Sequence, residues 1–249
     1  MLSARALDGL PEITPGDDLA RLIADALGDQ ALGASDVLVI AHKVISKSEG
    51  RVRTLSEVTP GPRAIELATK LDKDPRLVEV ILGESSEVLR AAHGVLICVT
   101  HHGFVCANAG VDASNVPGED RVVLLPEDPD RSARQLRARI RELSGAAPAI
   151  VITDSFGRAW RTGQCDVAIG CAGVRPLDDW RGRADANGRD LRATVIAVAD
   201  ELAAAADLAR AKDRSQPVVW IRDAGRYVTA DGGPGAVALI RPKTNDLFR

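Results

Sequence analysis

Apolar residues recur along the chain at two periods, and the period predicts the type of each element. Leu19, Leu22, Ile23, Ala26 and Leu27 return at steps of three and four, which predicts a helix over residues 17–27. Asp17 suits its start and Gly28 its end. Residues 37–41 form an unbroken apolar run, the pattern of a buried strand, and deliver His42, Lys43, Ser46 and Lys47 at or just past its end. Pro62 and Pro75 suit the first turns of two short amphipathic helices reaching about Leu71 and Leu82. Residues 95–100 and 104–107 predict a hairpin around His101-His102-Gly103, followed by a small, polar, turn-rich stretch over 108–118.

A helix is predicted from Asp130, with Ala133, Leu136, Ile140 and Leu143 inward and Arg131, Arg134, Arg137, Arg139 and Arg141 on a solvated face. Residues 149–153 form a second buried-strand pattern ending in Asp154. The alanine-rich stretch 197–211 predicts a helix, residues 218–221 a strand, and the glycine-rich residues 231–235 a mobile loop. Strands and helices mix without a regular βαβ period, so the expected class is α+β, with mixed and antiparallel sheets and packed helices. No internal repeat or linker divides the chain, and residues 1–249 are expected to form one module.

Composition narrows the function classes. With 32 basic and 35 acidic residues the net charge is −3, which excludes a general polyanion binder relying on bulk positive charge. It leaves room for a local basic pocket. Aromatic residues are only 3%, so the core must be aliphatic and stacking platforms for single-stranded nucleic acid are not expected. No apolar run reaches the ~18 residues of a membrane span, and the N-terminus lacks the apolar block of a secretory signal, so a cytoplasmic location is expected. Cys98, Cys106, Cys165 and Cys171 form no C-x-x-C pair and are expected as buried thiols. A zinc set of Cys98, His101, His102 and Cys106 competes with the simpler reading of a hairpin turn.

Two acidic stretches carry candidate chemistry. Residues 108–115 and 153–161 are each expected to be a loop that sets a carboxylate, Asp112 or Asp154, beside hydroxyl or amide oxygens after strand-like sequence. Magnesium and manganese favour such hard oxygen donors, whereas an aspartate after a strand also serves as a turn or helix cap. Lys43, Lys47, Arg158 and Arg161 could complement such a centre by holding a triphosphate, or could be ordinary surface charges. There is no Walker phosphate loop, dinucleotide-binding glycine motif or nucleophile elbow, so a bound nucleotide would need another kind of site.

These stretches, together with Gly9-Leu10-Pro11-Glu12-Ile13, Gly16-Asp17-Asp18-Leu19, residues 43–51, Leu124-Leu125-Pro126, Asp178-Asp179-Trp180, Gly188-Arg189 and Ala199-Asp200-Glu201-Leu202-Ala203, resemble the coenzyme F-420:L-glutamate ligase family in collinear order. The tail Asn245-Asp246-Leu247-Phe248 is similar to the end of the ligase module in fused family members. The resemblance covers nearly the whole chain. It implies a γ-glutamyl ligase fold, a two-part monomer within an intertwined homodimer. It also implies a GTP-dependent ligase that joins L-glutamate to the deazaflavin precursor coenzyme F-420-0 through an acyl phosphate. Two Mg²⁺ or Mn²⁺ ions per site are implied, with room for a monovalent cation.

By similarity, Asp112 and Asp154 are metal ligands, and Ser155 offers an oxygen to a second metal. The implied nucleotide pocket comprises Leu10, Pro11, Glu12, Ile13, His42, Lys43, Lys47 and Asn115, with Arg210, Ala211, Lys212, Asp213, Arg214, Ser215 and Gln216. Catalysis falls to Asp112, Asp154 and, from charge alone, Arg158. The sequence departs from the family in having His42 where Ser or Thr is common, Ser155 in place of Thr, and a basic 210–214 loop. The alternative reading is a nucleotide- or deazaflavin-binding homologue that has lost ligation. A GTP hydrolase using the same metals is a third.

Overall fold

The computed structural model describes residues 1–114, 118, 120–211 and 213–247. The chain begins with β1 (Ser3–Ala6), α1 (Leu19–Leu27), β2 (Val37–Ala41), α2 (His42–Ser48) and β3 (Val52–Thr54). It continues through α3 (Pro62–Leu71), α4 (Pro75–Gly83), β4 (Ser85–Ala92), β5 (Val95–Thr100), β6 (Val105–Ala107) and β7 (Arg121–Val123). The remaining elements are α5 (Pro129–Ser144), β8 (Ala149–Arg158), β9 (Arg161–Ala172), β10 (Asp178–Asp179), β11 (Val195–Ile196), α6 (Val198–Ala209) and β12 (Val218–Arg222).

The main sheet has the order β1-β12-β2-β8-β9, and every neighbouring pair is antiparallel except β2 with β8. Alternation along β2 and β8 explains how both faces are covered. Leu38, Ile40, Ile150 and Ile152 face α1 and α5, whereas Val37, Val39, Ala149 and Val151 face α6. Burying each such aliphatic side chain contributes roughly 1.5–3 kcal/mol. A separate core joins α3, α4 and the three-stranded sheet β4-β5-β6, with Ile81, Leu96 and Leu124 among its fully buried members. The class is α+β, as the mixed pattern predicts.

Several local expectations change. Helix α1 begins at Leu19 under Asp18, whose side chain accepts from the Arg21 N–H, while Asp17 accepts instead from Thr14. Helix α5 begins at Pro129 and is capped by Asp128, which frees Asp130 to accept from the Cys171, Ala236 and Val237 amides. That carboxylate anchors the C-terminal end of the glycine-rich stretch expected to be mobile. Gly235 has φ of 87°, and a Cβ there would lie 2.3 Å from Asp130. Arg137 is not on a solvated face: its guanidinium donates to the carbonyls of Pro148, Thr229 and Asp231. At Gly170 on β9 a Cβ would sit 2.5 Å from the Pro129 backbone, so its absence lets α5 start directly against the sheet.

The zinc reading fails for a geometric reason. Cys98 and Cys106 are register partners inside β5-β6, while the His101 and His102 rings turn away to the Gly83 and Pro126 carbonyls. Three of the four free thiols are buried, and Cys165 is half-buried. Among the described residues no helix is long and apolar enough to cross a membrane.

Candidate active site

The parallel pairing of β2 and β8 creates the site. Ala41 is the register partner of Thr153, so the next residues, His42 at the start of α2 and Asp154 within β8, stand side by side. Carboxyl ends of parallel strands are a recurrent place for ligand crevices in open sheets. Here they open into a cleft of about 820 Å³, within the size range of small-molecule sites. Its walls come from distant segments. Leu10–Ile13 follow β1, and Ser215–Pro217 precede β12, where the Pro217 carbonyl accepts from the Ala41 amide. The Gln216 amide donates to Asp8 and ties these two walls together.

The sequence reads residues 153–161 as a loop, but they are two strands and a tight turn. Strand β8 continues to Arg158 and doubles back as β9 from Arg161, because Phe156 and Val167 still pack against the core and hold the pairing. Asp154 is therefore a strand residue, 16% exposed, with its Oδ1 accepting from the Ser155 amide. Arg158 lies four residues further along, roughly 13 Å at the usual strand rise. It sits at the exposed hairpin tip, donates to the Thr162 carbonyl at 2.6 Å, and does not line the cleft. Arg161 is exposed on the opposite strand and is likewise absent from the lining. The two arginines read from charge alone thus stand outside the cleft of their own chain.

Across the cleft, Asp112 is held by an isolated bridge in which its amide and carbonyl pair with those of Val123. Its carboxylate accepts from the Ser114 amide and hydroxyl and from Lys43 Nζ at 2.7 Å. Burial pushes the Asp112 carboxyl up, but the Lys43 and Ser114 donors outweigh it and hold the group below its ordinary range. Lys47 is buried and pairs with Glu12 at 2.5 Å.

Behind Asp154 lies a residue the sequence reading missed. Asp166 of β9 is 1% exposed and accepts from the Thr153 and Ser155 hydroxyls and from the Arg210 guanidinium. Its signal was a lone carboxylate directly before the apolar run 167–172, the pattern of a charge buried inside a strand. Gln164, Thr153 and Ser114 also line the cleft without having been singled out as site residues.

The structure thus brings together Asp112, Asp154, Ser155, His42, Lys43, Lys47, Leu10–Ile13, Arg210, Ala211, Ser215 and Gln216 around one cleft. Asp213 and Arg214 stand in the adjoining turn and do not line it. Asn115 and Lys212 lie outside the described residues. Among the described residues no group of three or more His, Cys, Asp and Glu side chains converges closely enough to hold an ion by itself. The hard oxygens of Asp112, Asp154 and Ser155 still suit Mg²⁺ or Mn²⁺. Such ions commonly take one or two carboxylates and complete their shell with water and substrate phosphates.

Cys106 is not a nucleophile for this cleft. Burial, reinforced by the Asp154 charge, pushes its thiol up to about 12.

Comparison with known proteins gives these residues their context. Residues 9–223 match the sequence profile of the F420-0:Gamma-glutamyl ligase family. The chain is 44% identical to the coenzyme F420:L-glutamate ligase of Methanothermobacter thermautotrophicus, over 100% of this chain and 99% of that protein. It is 47% identical to the protein of the same name from Methanopyrus kandleri, over 96% of this chain and 94% of the relative. The Haloarcula marismortui protein of that name is 44% identical over 98% of this chain and 94% of its own length. Identity at this level over essentially the full length of both partners leaves one conclusion: the chain belongs to the F420-0:gamma-glutamyl ligase family.

Proposed function

We propose that the chain is a GTP- and divalent-metal-dependent ligase that adds L-glutamate to the deazaflavin precursor coenzyme F-420-0. The family and the names of its full-length relatives support glutamate ligation. The observation that carries the finer reading is the cleft itself, where Lys43 and Lys47 face Asp112 and Asp154 without any Walker motif.

Joining a carboxylate to an amine needs an activated carbonyl, and a γ-phosphoryl group can supply it. In this reading a carboxylate oxygen of the precursor attacks the γ-phosphorus, the bond to the bridging oxygen breaks, and GDP leaves. The glutamate amine then attacks the acyl carbon, loses a proton, and releases inorganic phosphate. Lys43 and Lys47 act as compact charges for the triphosphate. Lys43 now pairs with Asp112, so an incoming phosphate competes for the ammonium and frees the carboxylate oxygens. Leu10–Ile13 and, opposite them, Arg210, Ala211, Ser215 and Gln216 hold the base and ribose and exclude water from the acyl phosphate.

Asp112, Asp154 and Ser155 would hold two divalent cations, which supply charge neutralisation at the transferring phosphoryl group. A homodimer, implied by the family resemblance, belongs to the same reading, and the molecular mass in solution checks it.

The decisive experiment incubates the protein with GTP, Mg²⁺ or Mn²⁺, L-glutamate and the precursor. A glutamate-dependent mass increase with matching GDP release is expected, and further γ-linked additions would appear as heavier products. Nucleotide binding with no mass increase favours the non-catalytic reading, and GDP release without glutamate favours a hydrolase.

A further inference from the structure

His42 is 2% exposed and lines the cleft, and its Nε2 makes no hydrogen bond among the described residues. Asp154 Oδ1 lies 3.3 Å from that nitrogen, close in distance but without the alignment a hydrogen bond requires. On the other side of the ring Nδ1 is 3.3 Å from the Ser46 hydroxyl, itself fully buried. When Nδ1–H donates to Ser46, Nε2 carries a buried lone pair beside, but not directed at, a carboxylate. A buried lone pair beside an anion is costly unless a positive species sits between them.

We infer that His42 Nε2 and Asp154 Oδ1 are adjacent ligands of one divalent cation, which makes this a mixed nitrogen–oxygen site that selects Mn²⁺ over Mg²⁺. The inference rests on the metal-dependent reading above and deepens it. Bonds of about 2.1 Å at right angles set neighbouring ligand atoms about 3.0 Å apart, so the observed 3.3 Å needs only a small adjustment. The register of β2 with β8 fixes both residues at the same level, so neither has to be carried in by a loop. Ser46 supplies the outer hydrogen bond that sets a ligating histidine's tautomer and ring orientation. A nitrogen donor binds a first-row transition ion better than it binds Mg²⁺, which favours an all-oxygen shell, so between these two ions it biases the choice toward Mn²⁺.

The test uses the full chain with Mn²⁺ and inorganic triphosphate, a phosphate source that contains no nitrogen. Pulsed electron paramagnetic resonance should show ¹⁴N modulation on bound Mn²⁺, and labelling the protein with ¹⁵N-histidine should move it to the ¹⁵N frequency without any mutation. His42→Ser should abolish the modulation and lower Mn²⁺ affinity about tenfold or more, with a smaller loss for Mg²⁺. Ser46→Ala should keep the modulation and weaken binding. Bound Mn²⁺ without nitrogen modulation, modulation unchanged by histidine labelling or by His42→Ser, or no Mn²⁺ binding at all overturns the inference. Glutamate ligation with Mg²⁺ but no nitrogen signal overturns this inference and leaves the ligase reading intact. A nitrogen signal without ligation does the reverse.

Discussion

Asp154 extends a central strand flanked on both sides by apolar neighbours, whereas Asp112 hangs from a single bridge to Val123 on the opposite wall of the cleft. Asp154 is 16% exposed and Asp112 42%. The first is set by sheet register and braced from behind by Asp166, Arg210 and two hydroxyls. The second depends on one lysine and one serine that can exchange partners. One wall is therefore preorganised, and the other can adjust as a ligand's phosphates replace Asp112 on Lys43. Four substitutions test that division.

The largest effect is expected on stability, from the brace behind Asp154. Arg210→Ala removes the guanidinium that pairs with the Asp166 carboxylate in the interior, where the Thr153 and Ser155 hydroxyls also donate to it. Removing one member of a buried ion pair costs roughly 3 kcal/mol or more, which for a chain of this size lowers Tm by about 6–12 °C. Calorimetry reads this directly. An unchanged Tm means the Arg210–Asp166 pair does not support β8.

Next comes Asp154→Asn, which keeps the shape and removes the charge. Turnover should fall by about a hundredfold or more, equivalent to roughly 2.7 kcal/mol of transition-state stabilisation, while Tm stays within about 2 °C of the parent. Near-normal glutamate ligation by the folded variant would remove Asp154 from the chemistry.

Legibility in the sequence followed the same division. The strands 37–41 and 149–153 were readable because burial on both faces leaves an unbroken apolar run, and Asp154 was readable as the residue after one of them. The continuation of β8 past Asp154 was not, because Ser155, Gly157 and Arg158 carry turn-like chemistry and only pairing with β9 makes them a strand. Strands β1 and β4 went unread for a related reason: their partly exposed residues show no clean alternation, and pairing with β12 and β5 supplies the order. Arg158 and Arg210 show the limit for charges. Sequence makes them equivalent cations, but one ends at a solvent-exposed hairpin tip and the other is folded against a buried carboxylate. The collinear family motifs named Arg210 and the Leu10–Ile13 wall, which spacing arguments alone could not connect to Asp154.

On the adjustable wall, Lys43→Met should raise KM for GTP about tenfold, with less effect on stability, because a half-exposed ion pair contributes at most about 1 kcal/mol. It also carries a pH signature. The folded-state carboxyl of Asp112 lies below its ordinary value, so its stabilising contribution is present above the ordinary carboxyl range and is lost as pH falls through the lowered value. Without Lys43 the folded Asp112 carboxyl should titrate at higher pH and that contribution should shrink. Following the Asp112 carboxyl by ¹³C NMR in both proteins checks it, and coincident titration curves would mean that Lys43 does not hold the carboxylate.

The smallest effect is expected at Asp200, in the first turn of α6 behind the same sheet. Burial raises its carboxyl above the ordinary value, only partly offset by the hydrogen bond it accepts from the Ala168 amide. The sign is opposite to that of Asp112. Ionising Asp200 opposes folding, so the penalty is absent at low pH, grows as pH rises from the ordinary carboxyl range to the raised folded value, and is constant above it. Asp200→Asn keeps an acceptor for Ala168 and removes the charge, so it should raise Tm by about 2 °C or less at neutral pH and leave it unchanged near pH 3. A difference between the two proteins that does not vary with pH would trace the effect to packing. A pH-dependent one would show that the sheet tolerates a destabilising buried charge next to α6, while the charges lining the cleft are held by partners.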